Sequence, residues 1–268
     1  MRIAFVGGGT MAEAIIKGVL TQKLADPGQV FVGEPVESRR NSLAEKYRIS
    51  TTPDNRHAIA GAQAIVLAVK PQNLRSAFAS LKGNIGPDQT VVSIVAGARL
   101  AALVEGLGHS AVVRVMPNTP GQIGAGVSAW TASDDVTEDG RQIARAIVQT
   151  LGVDVYVDDE KYIEMATALS ASGPAYVFTF LDALIEAGVY LGMDRDMART
   201  LSLHTVLGSA KLMLDTGESP ARLREMVSSP GGTTVEALLA LEEGAFRATV
   251  INAVVAAHEK ALQLGEQS

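Results

Sequence analysis

Gly7-Gly8-Gly9-Thr10-Met11-Ala12 follows the pattern G-x-G-x-x-A. Glycines at this spacing suit a diphosphate. Gly7 makes a tight turn, Gly9 lets the backbone approach a pyrophosphate, and Ala12 lets the next helix pack closely on a sheet. Thr10 and Met11 lie in the first turn of that helix, whose N-terminus offers free N–H groups and the positive end of its dipole. The pattern alone is weak, but here it stands between an apolar run, Ile3–Val6, and a helical stretch from Thr10 to Leu24. The competing reading is a tight turn that binds nothing.

Glu34 falls 25 residues after Gly9, where a second strand should end. A carboxylate there accepts hydrogen bonds from both ribose hydroxyls of NAD and repels a 2′-phosphate. Arg39 and Arg40 follow closely and could offset that repulsion. The position therefore leans toward NADH and leaves NADPH open, against the plainer reading of a solvated acid and two surface arginines. Three further segments lie at strand ends, where ligands of open parallel sheets gather. They are Ala68-Val69-Lys70-Pro71-Gln72, Ser93-Ile94-Val95-Ala96-Gly97 and Arg114-Val115-Met116-Pro117-Asn118-Thr119-Pro120. Each alone is ordinary turn chemistry; together they favour a cofactor cleft with Lys70 as its cation.

The second half holds Ser228-Ser229-Pro230-Gly231-Gly232-Thr233-Thr234. Thr233 with Glu236 has the spacing of a capping box. Adjacent glycines among hydroxyl residues equally suit a small carboxylate held by backbone N–H groups. Ser170-Ala171-Ser172-Gly173-Pro174 reads as an N-cap with proline in the first turn of a helix. His57, His109, His204 and His258 are scattered, and there is no cysteine. The sequence therefore offers no triad, no thiolate nucleophile, no disulfide and no metal-ligand cluster.

These groups need a scaffold, and the pattern supplies one. Strand-like runs at Ile3–Val6, Val30–Val32, Ile65–Val69, Val91–Val95 and Val112–Val115 alternate with helical stretches such as Glu37–Tyr47. Later strands are expected at Gly124–Trp130 and Val153–Val157, around a helix Glu138–Gln149. Such alternation implies a doubly wound, mainly parallel sheet. After Asp158-Asp159-Glu160 no strand is evident. Helices are expected over Lys161–Leu169, Val177–Leu191, Asp196–Leu214, Val235–Leu241 and Ala245–Leu264. The division is thus residues 1–158, α/β, and 159–268, all helical. Val177–Leu191 is apolar around much of its circumference and should be buried on most sides, with a second subunit as cover.

The 268 residues are 47% hydrophobic and 19% charged, enough for sizeable cores, and the net charge of −6 disfavours nucleic acid. Only a short apolar run follows Arg2, unlike a secretory signal. No apolar stretch is read as approaching the roughly 20 residues needed to span a bilayer. A cytoplasmic protein without membrane partners is expected.

Taken together, Gly7–Ala12, Ala68–Pro71, Met116–Pro120, Ser170–Tyr176, Ser228–Thr234, Phe246-Arg247 and Ile251–Val254 resemble the pyrroline-5-carboxylate reductase family, in order along nearly the whole chain. The resemblance implies reduction of 1-pyrroline-5-carboxylate to L-proline with NADPH or NADH. It also implies a Rossmann-like N-terminal domain and a C-terminal helical domain interlocked with a partner in a homodimer, commonly assembled further into decamers. Its cofactor contacts fall on Gly7, Gly9, Asn55, Ala68, Lys70 and Ala96. Its substrate contacts fall on Ser229, Gly232, Thr233 and Thr234, to which the backbone reading adds Gly231. Thr234 is the expected donor to the substrate nitrogen. NADPH-preferring members often carry a small hydroxyl residue at the position of Glu34, which leaves the coenzyme undecided. Two rivals remain. A β-hydroxyacid dehydrogenase shares the architecture, but usually carries a lysine within its first long C-terminal helix, and Val177–Leu191 has none. A non-catalytic nucleotide sensor would share the fold alone.

Overall fold

The computed structural model describes residues 1–266. Eight strands form one sheet: β1 Ile3–Val6, β2 Val30–Gly33, β3 Ser50–Thr52, β4 Ala64–Leu67, β5 Thr90–Ser93, β6 Val112–Met116, β7 Gly126–Ala132 and β8 Gly152–Tyr156. Their order is β3-β2-β1-β4-β5-β6-β7-β8, parallel throughout except where β6 meets β7. The order reverses between β1 and β4, so a crevice opens outside the carboxyl ends of these two strands. Helices α1 Thr10–Thr21, α2 Glu37–Tyr47, α3 Asn55–Ile59, α4 Leu74–Leu81, α5 Leu100–Leu107 and α6 Glu138–Gln149 connect the strands.

Alternation along β1 shows why both faces must be covered. Ile3 and Phe5 enter one core with Ile15, Val32 and Leu43, while Ala4 and Val6 enter another with Ile65, Leu67 and Leu103. A third core gathers Val113, Trp130 and Val148. Helix α7, Lys161–Ala166, is tied to the sheet by a buried ion cluster. Arg114 Nη1 donates to Glu160 at 2.6 Å and Glu164 at 2.9 Å, and Glu160 also accepts the Leu100 N–H at 2.7 Å. Removing one member of such a cluster would strand a buried charge.

By contact, the chain forms two compact units: Met1–Ser172 with the segment from Ala257, and Gly173–Ala256. The second unit comprises α8 Gly173–Tyr190, α9 Arg195–Thr216, α10 Pro220–Met226, α11 Thr233–Glu243 and the start of α12 Phe246–Glu266. Asp194 caps α9, its Oδ1 accepting the Met197 N–H at 2.9 Å. Phe180 and Phe246 meet at 6.0 Å between ring centres, and Gly188 is closely faced by Ala198.

Two expectations change and a third is sharpened. Ser170–Ser172 is not a capping loop: Thr167–Ala171 forms a π-helical turn, with the Ser170 Oγ donating to the Ala166 carbonyl at 2.8 Å. Because that turn carries helical structure into α8, with Pro174 in its first turn, Lys161–Tyr190 is a 30-residue helical run that holds an 18-residue stretch of mean hydropathy 1.3. By length and composition alone it could cross a bilayer, contrary to the expectation of no such stretch. Finally, no residue of α8 is buried within one chain. The apolar circumference read from the sequence is real, but one copy does not cover it.

Candidate active site

The glycine loop lies where the topology places a crevice. Gly7 has φ +94°, and a Cβ there would approach the Ala68 carbonyl oxygen to 2.7 Å, so only glycine fits. Its N–H donates to the Gly33 carbonyl at 2.8 Å, pinning the loop between the ends of β1 and β2. Gly9 is the N-cap of α1, with no side-chain cap and no atom within 4 Å of where a Cβ would stand. The first turn of α1 thus faces open space without a capping side chain, the arrangement that receives an anion.

Gly7, Gly9, Glu34, Asn55, Ala68, Val69 and Lys70 line one cleft of about 530 Å³. Pro71 and Ala96 instead line an adjoining cavity of about 580 Å³ with Arg75, Phe78 and Leu264; Gln72 lines both. Ala12 is buried against the sheet core, Met11 packs on the same core half-buried, and Thr10 is exposed. A dinucleotide fits this donor set: glycine backbone, an acid at the end of β2, and Lys70 along the run of the cleft.

Glu34 is not a solvated acid. It is 9% exposed; Oε2 accepts the Gly8 N–H at 2.8 Å and Oε1 the Val36 N–H at 2.9 Å. The arginines are not free either. Arg39 donates from Nε to the Gly8 carbonyl at 2.5 Å and from Nη2 to Glu13 at 2.6 Å. Arg40 donates to the carbonyls of Glu34 and Pro35, both at 2.8 Å. Glu13 also accepts from Lys46 at 2.8 Å and from the Tyr47 hydroxyl at 2.9 Å. Hydrogen bonds from Lys46 first, then Arg39 and Tyr47, lower the Glu13 pKa to about 2, against burial that would raise it.

The sequence reading missed Gly33, Pro35, Val36, Asn73, Ser76 and Ala77 among the cleft residues. They belong to the end of β2 and the turn after it, and to the α4 region, which was not read as an element. The spacing of Leu74, Ala77, Phe78 and Leu81 was the available signal. Asn55, placed by resemblance alone, opens α3 and donates to the Ser80 Oγ at 3.0 Å.

Ser229, Gly231, Gly232, Thr233 and Thr234 lie together in the helical unit, at the start of α11. Gly231 has φ +69°, and Gly232 is the N-cap. The expected capping box does not form: the helix begins at Thr233, one residue earlier than a Thr233 cap requires, and the cap makes no side-chain hydrogen bond. The Thr233 and Thr234 hydroxyls are thus not engaged as caps. Asn118 links two other segments singled out above, accepting the Val127 N–H at 3.0 Å and donating to the Ser170 carbonyl at 3.2 Å.

Residues 160–264 match the family model described as pyrroline-5-carboxylate reductase dimerisation, and residues 2–97 match that of the coenzyme F420-dependent NADP oxidoreductases. A pyrroline-5-carboxylate reductase of Synechocystis is 40% identical over 267 residues, covering 100% of this chain and 99% of its own. That of Escherichia coli is 36% identical, covering 99% and 98%. The solved pyrroline-5-carboxylate reductase of Coxiella burnetii superimposes with a TM-score of 0.89 at 36% identity, covering 98% of each chain. The Plasmodium falciparum pyrroline carboxylate reductase, solved with NADP bound, also gives 0.89, at 30% identity, covering 99% and 98%.

Proposed function

The chain belongs to the pyrroline-5-carboxylate reductase family, and from that premise we propose how its residues divide the work of the reaction. The enzyme reduces 1-pyrroline-5-carboxylate to L-proline, the last step of proline biosynthesis, with NADPH or NADH as donor. One observation carries the division: α1 and α11, in different units, each begin at a glycine N-cap that makes no side-chain hydrogen bond. One N-terminus suits a pyrophosphate, the other a small carboxylate.

When bound, the reduced nicotinamide supplies hydride to C5 of the ring. The glycine loop and the α1 N–H groups hold the pyrophosphate, and Glu34 receives the ribose hydroxyls. Asn55, Ala68, Val69, Lys70, Pro71 and Ala96 border the run of the coenzyme. Backbone N–H groups around Ser229, Gly231 and Gly232, with the Thr233 hydroxyl, hold the substrate carboxylate. Thr234 is the hydrogen-bond partner of the ring nitrogen: its hydroxyl donates to the lone pair of the neutral imine and accepts from the N–H once solvent has protonated it, and that proton stays on the nitrogen of proline. A cyclic imine is basic enough to be protonated near neutral pH, so the chain needs no strong acid. Holding two reactants in register accounts for most of the catalysis, a contribution of about 7–11 kcal/mol.

Residues 159–268 serve as the substrate-binding and dimerisation domain, a reading supported by the match of residues 160–264 to the dimerisation model. Their exposed apolar faces meet a second copy in an interlocked homodimer, which assembles further into a decamer, in the cytoplasm and away from lipid. The decisive assay follows NAD(P)H consumption and proline formation from pyrroline-5-carboxylate. Thr234→Ala should lower turnover by the equivalent of about 1–3 kcal/mol, with coenzyme affinity kept; unchanged turnover removes Thr234 from the reaction.

A further inference from the structure

We infer that Glu13 and Glu34 together make the adenosine end of the cleft select a dinucleotide lacking a 2′-phosphate, Glu34 by its own charge and Glu13 by detaining Arg39 at the glycine loop. This rests on the reading of the cleft as the coenzyme site.

Glu34 lines the cleft with its carboxylate fixed by two backbone donors, so it has little freedom to swing away. An ionised carboxylate only accepts hydrogen bonds, which suits two ribose hydroxyls. A phosphate carrying about −1.5 to −2 charge placed beside it is repelled unless a cation intervenes. The guanidiniums of Arg39, Arg40 and Arg56 already have partners. Arg40 is turned to the Glu34 and Pro35 carbonyls, and Arg56 is paired with Asp54 at 3.1 Å. Arg39 lies closest to the loop, bonded to the Gly8 and Gly9 carbonyls as well as to Glu13.

Glu13 makes the detention of Arg39 firm. Its carboxyl, held near pKa 2 by Lys46, Arg39 and Tyr47, stays ionised throughout any working pH. A 2′-phosphate recruiting Arg39 must break a 2.6 Å ion pair and release two loop carbonyls. Those carbonyls matter, because in a trans peptide the N–H points away from the C=O. Arg39 thereby also fixes the directions of the Gly9 and Thr10 N–H groups. Glu13 is a positioning residue, acting on the coenzyme through Arg39.

The test measures dissociation constants of the intact enzyme for NADH and NADPH, by fluorescence of the reduced nicotinamide. The wild-type chain should bind NADH at least about tenfold more tightly, the scale of one unfavourable charge contact. Glu34→Gln, which keeps an acceptor oxygen and loses the charge, should tighten NADPH about tenfold. Glu13→Gln should tighten NADPH about fivefold while NADH changes less than about twofold, because only the loop carbonyls, and no opposing charge, then hold Arg39 from a phosphate. Adding Arg39→Ala to Glu13→Gln should erase that gain, which a merely structural role for Glu13 would not predict. Equal wild-type affinities overturn the inference. So does a Glu13→Gln ratio equal to wild type, or a gain that survives loss of Arg39. Should Glu13→Gln fail to fold, the wild-type ratio and Glu34→Gln still decide. Turnover of pyrroline-5-carboxylate with no coenzyme discrimination sinks this inference alone; discrimination without turnover sinks the reductase reading and spares it.

Discussion

Leu103 and Leu207 are the same residue on two helices of one chain, and the chain treats them oppositely. Leu103 on α5 is fully enclosed, while Leu207 on α9 is 59% exposed. The contrast extends to their units. Around β1 to β6, apolar side chains meet others from the same chain on both faces, and even the buried Arg114 has two carboxylate partners. In Gly173–Ala256, Phe178, Leu201, Leu207 and Leu214 all stand more than half exposed. From β1 to β6 the first unit's sequence describes a structure finished by one chain, whereas Val153 and Val155 on β8 and Leu169 stay exposed. The second unit's sequence describes a surface that one chain leaves open, within a region matching a dimerisation model.

The hardest blow to this contrast is Phe178→Glu. Phe178 is 62% exposed, so in a lone chain a charge there costs little. In the proposed homodimer it would be a buried aromatic anchor, and its loss should weaken association by about 2–4 kcal/mol. Sedimentation equilibrium should show smaller species, and turnover at low enzyme concentration should fall with them. Unchanged mass and turnover would mean that α8 faces solvent at this point.

A matched pair sharpens the same contrast. Leu103→Ala should cost about 2–5 kcal/mol in urea unfolding, with a midpoint shift independent of protein concentration. Leu207→Ala should shift the midpoint by an amount that depends on protein concentration, because what it loses lies between copies. If Leu207→Ala stays within about 0.5 kcal/mol at every concentration, the α9 face is solvated in the assembly as well.

The same division governs what the sequence could reveal. Strands β1 and β4 are runs of Ile, Ala, Phe, Val and Leu buried on both faces, and β2, β5 and β6 each carry at least two valines in a largely buried run, so all five read directly. Strand β3 did not, because Ser50-Thr51-Thr52 is polar and lies at the sheet edge with no buried face to leave a pattern. Helix α3 has five residues, too few to display a period. The π turn is invisible for another reason: 3.6-residue periodicity is insensitive to one wider turn. The Thr233 cap was misplaced by one residue because Gly231 at φ +69° turns the chain early, and neighbouring glycines leave the exact turn ambiguous. In the cleft, Gly7, Gly9 and Glu34 were legible as a motif. The ties from Glu13 to Arg39, Lys46 and Tyr47 were not, because they span 26 to 34 positions and no local pattern records them.

Those ties give the smallest expected effect, and one confined to the unit that completes itself. The Glu13 carboxyl stands near pKa 2 in the folded chain, against an ordinary value of 4.5. A depressed carboxylate stabilises the fold above its unfolded pKa, and that contribution drains away as pH falls toward the folded value. Between about pH 4.5 and 2 the unfolded chain therefore binds one proton more at this site, so unfolding grows easier with acid. Glu13→Gln removes the site from the titration. Urea midpoints measured across that window should fall less steeply for the variant than for wild type, by up to one proton in slope, while Leu207→Ala keeps the wild-type slope. Parallel acid limbs for Glu13→Gln and wild type would show that Lys46, Arg39 and Tyr47 do not hold this carboxylate as the geometry implies, and the detention of Arg39 would lose its anchor with them.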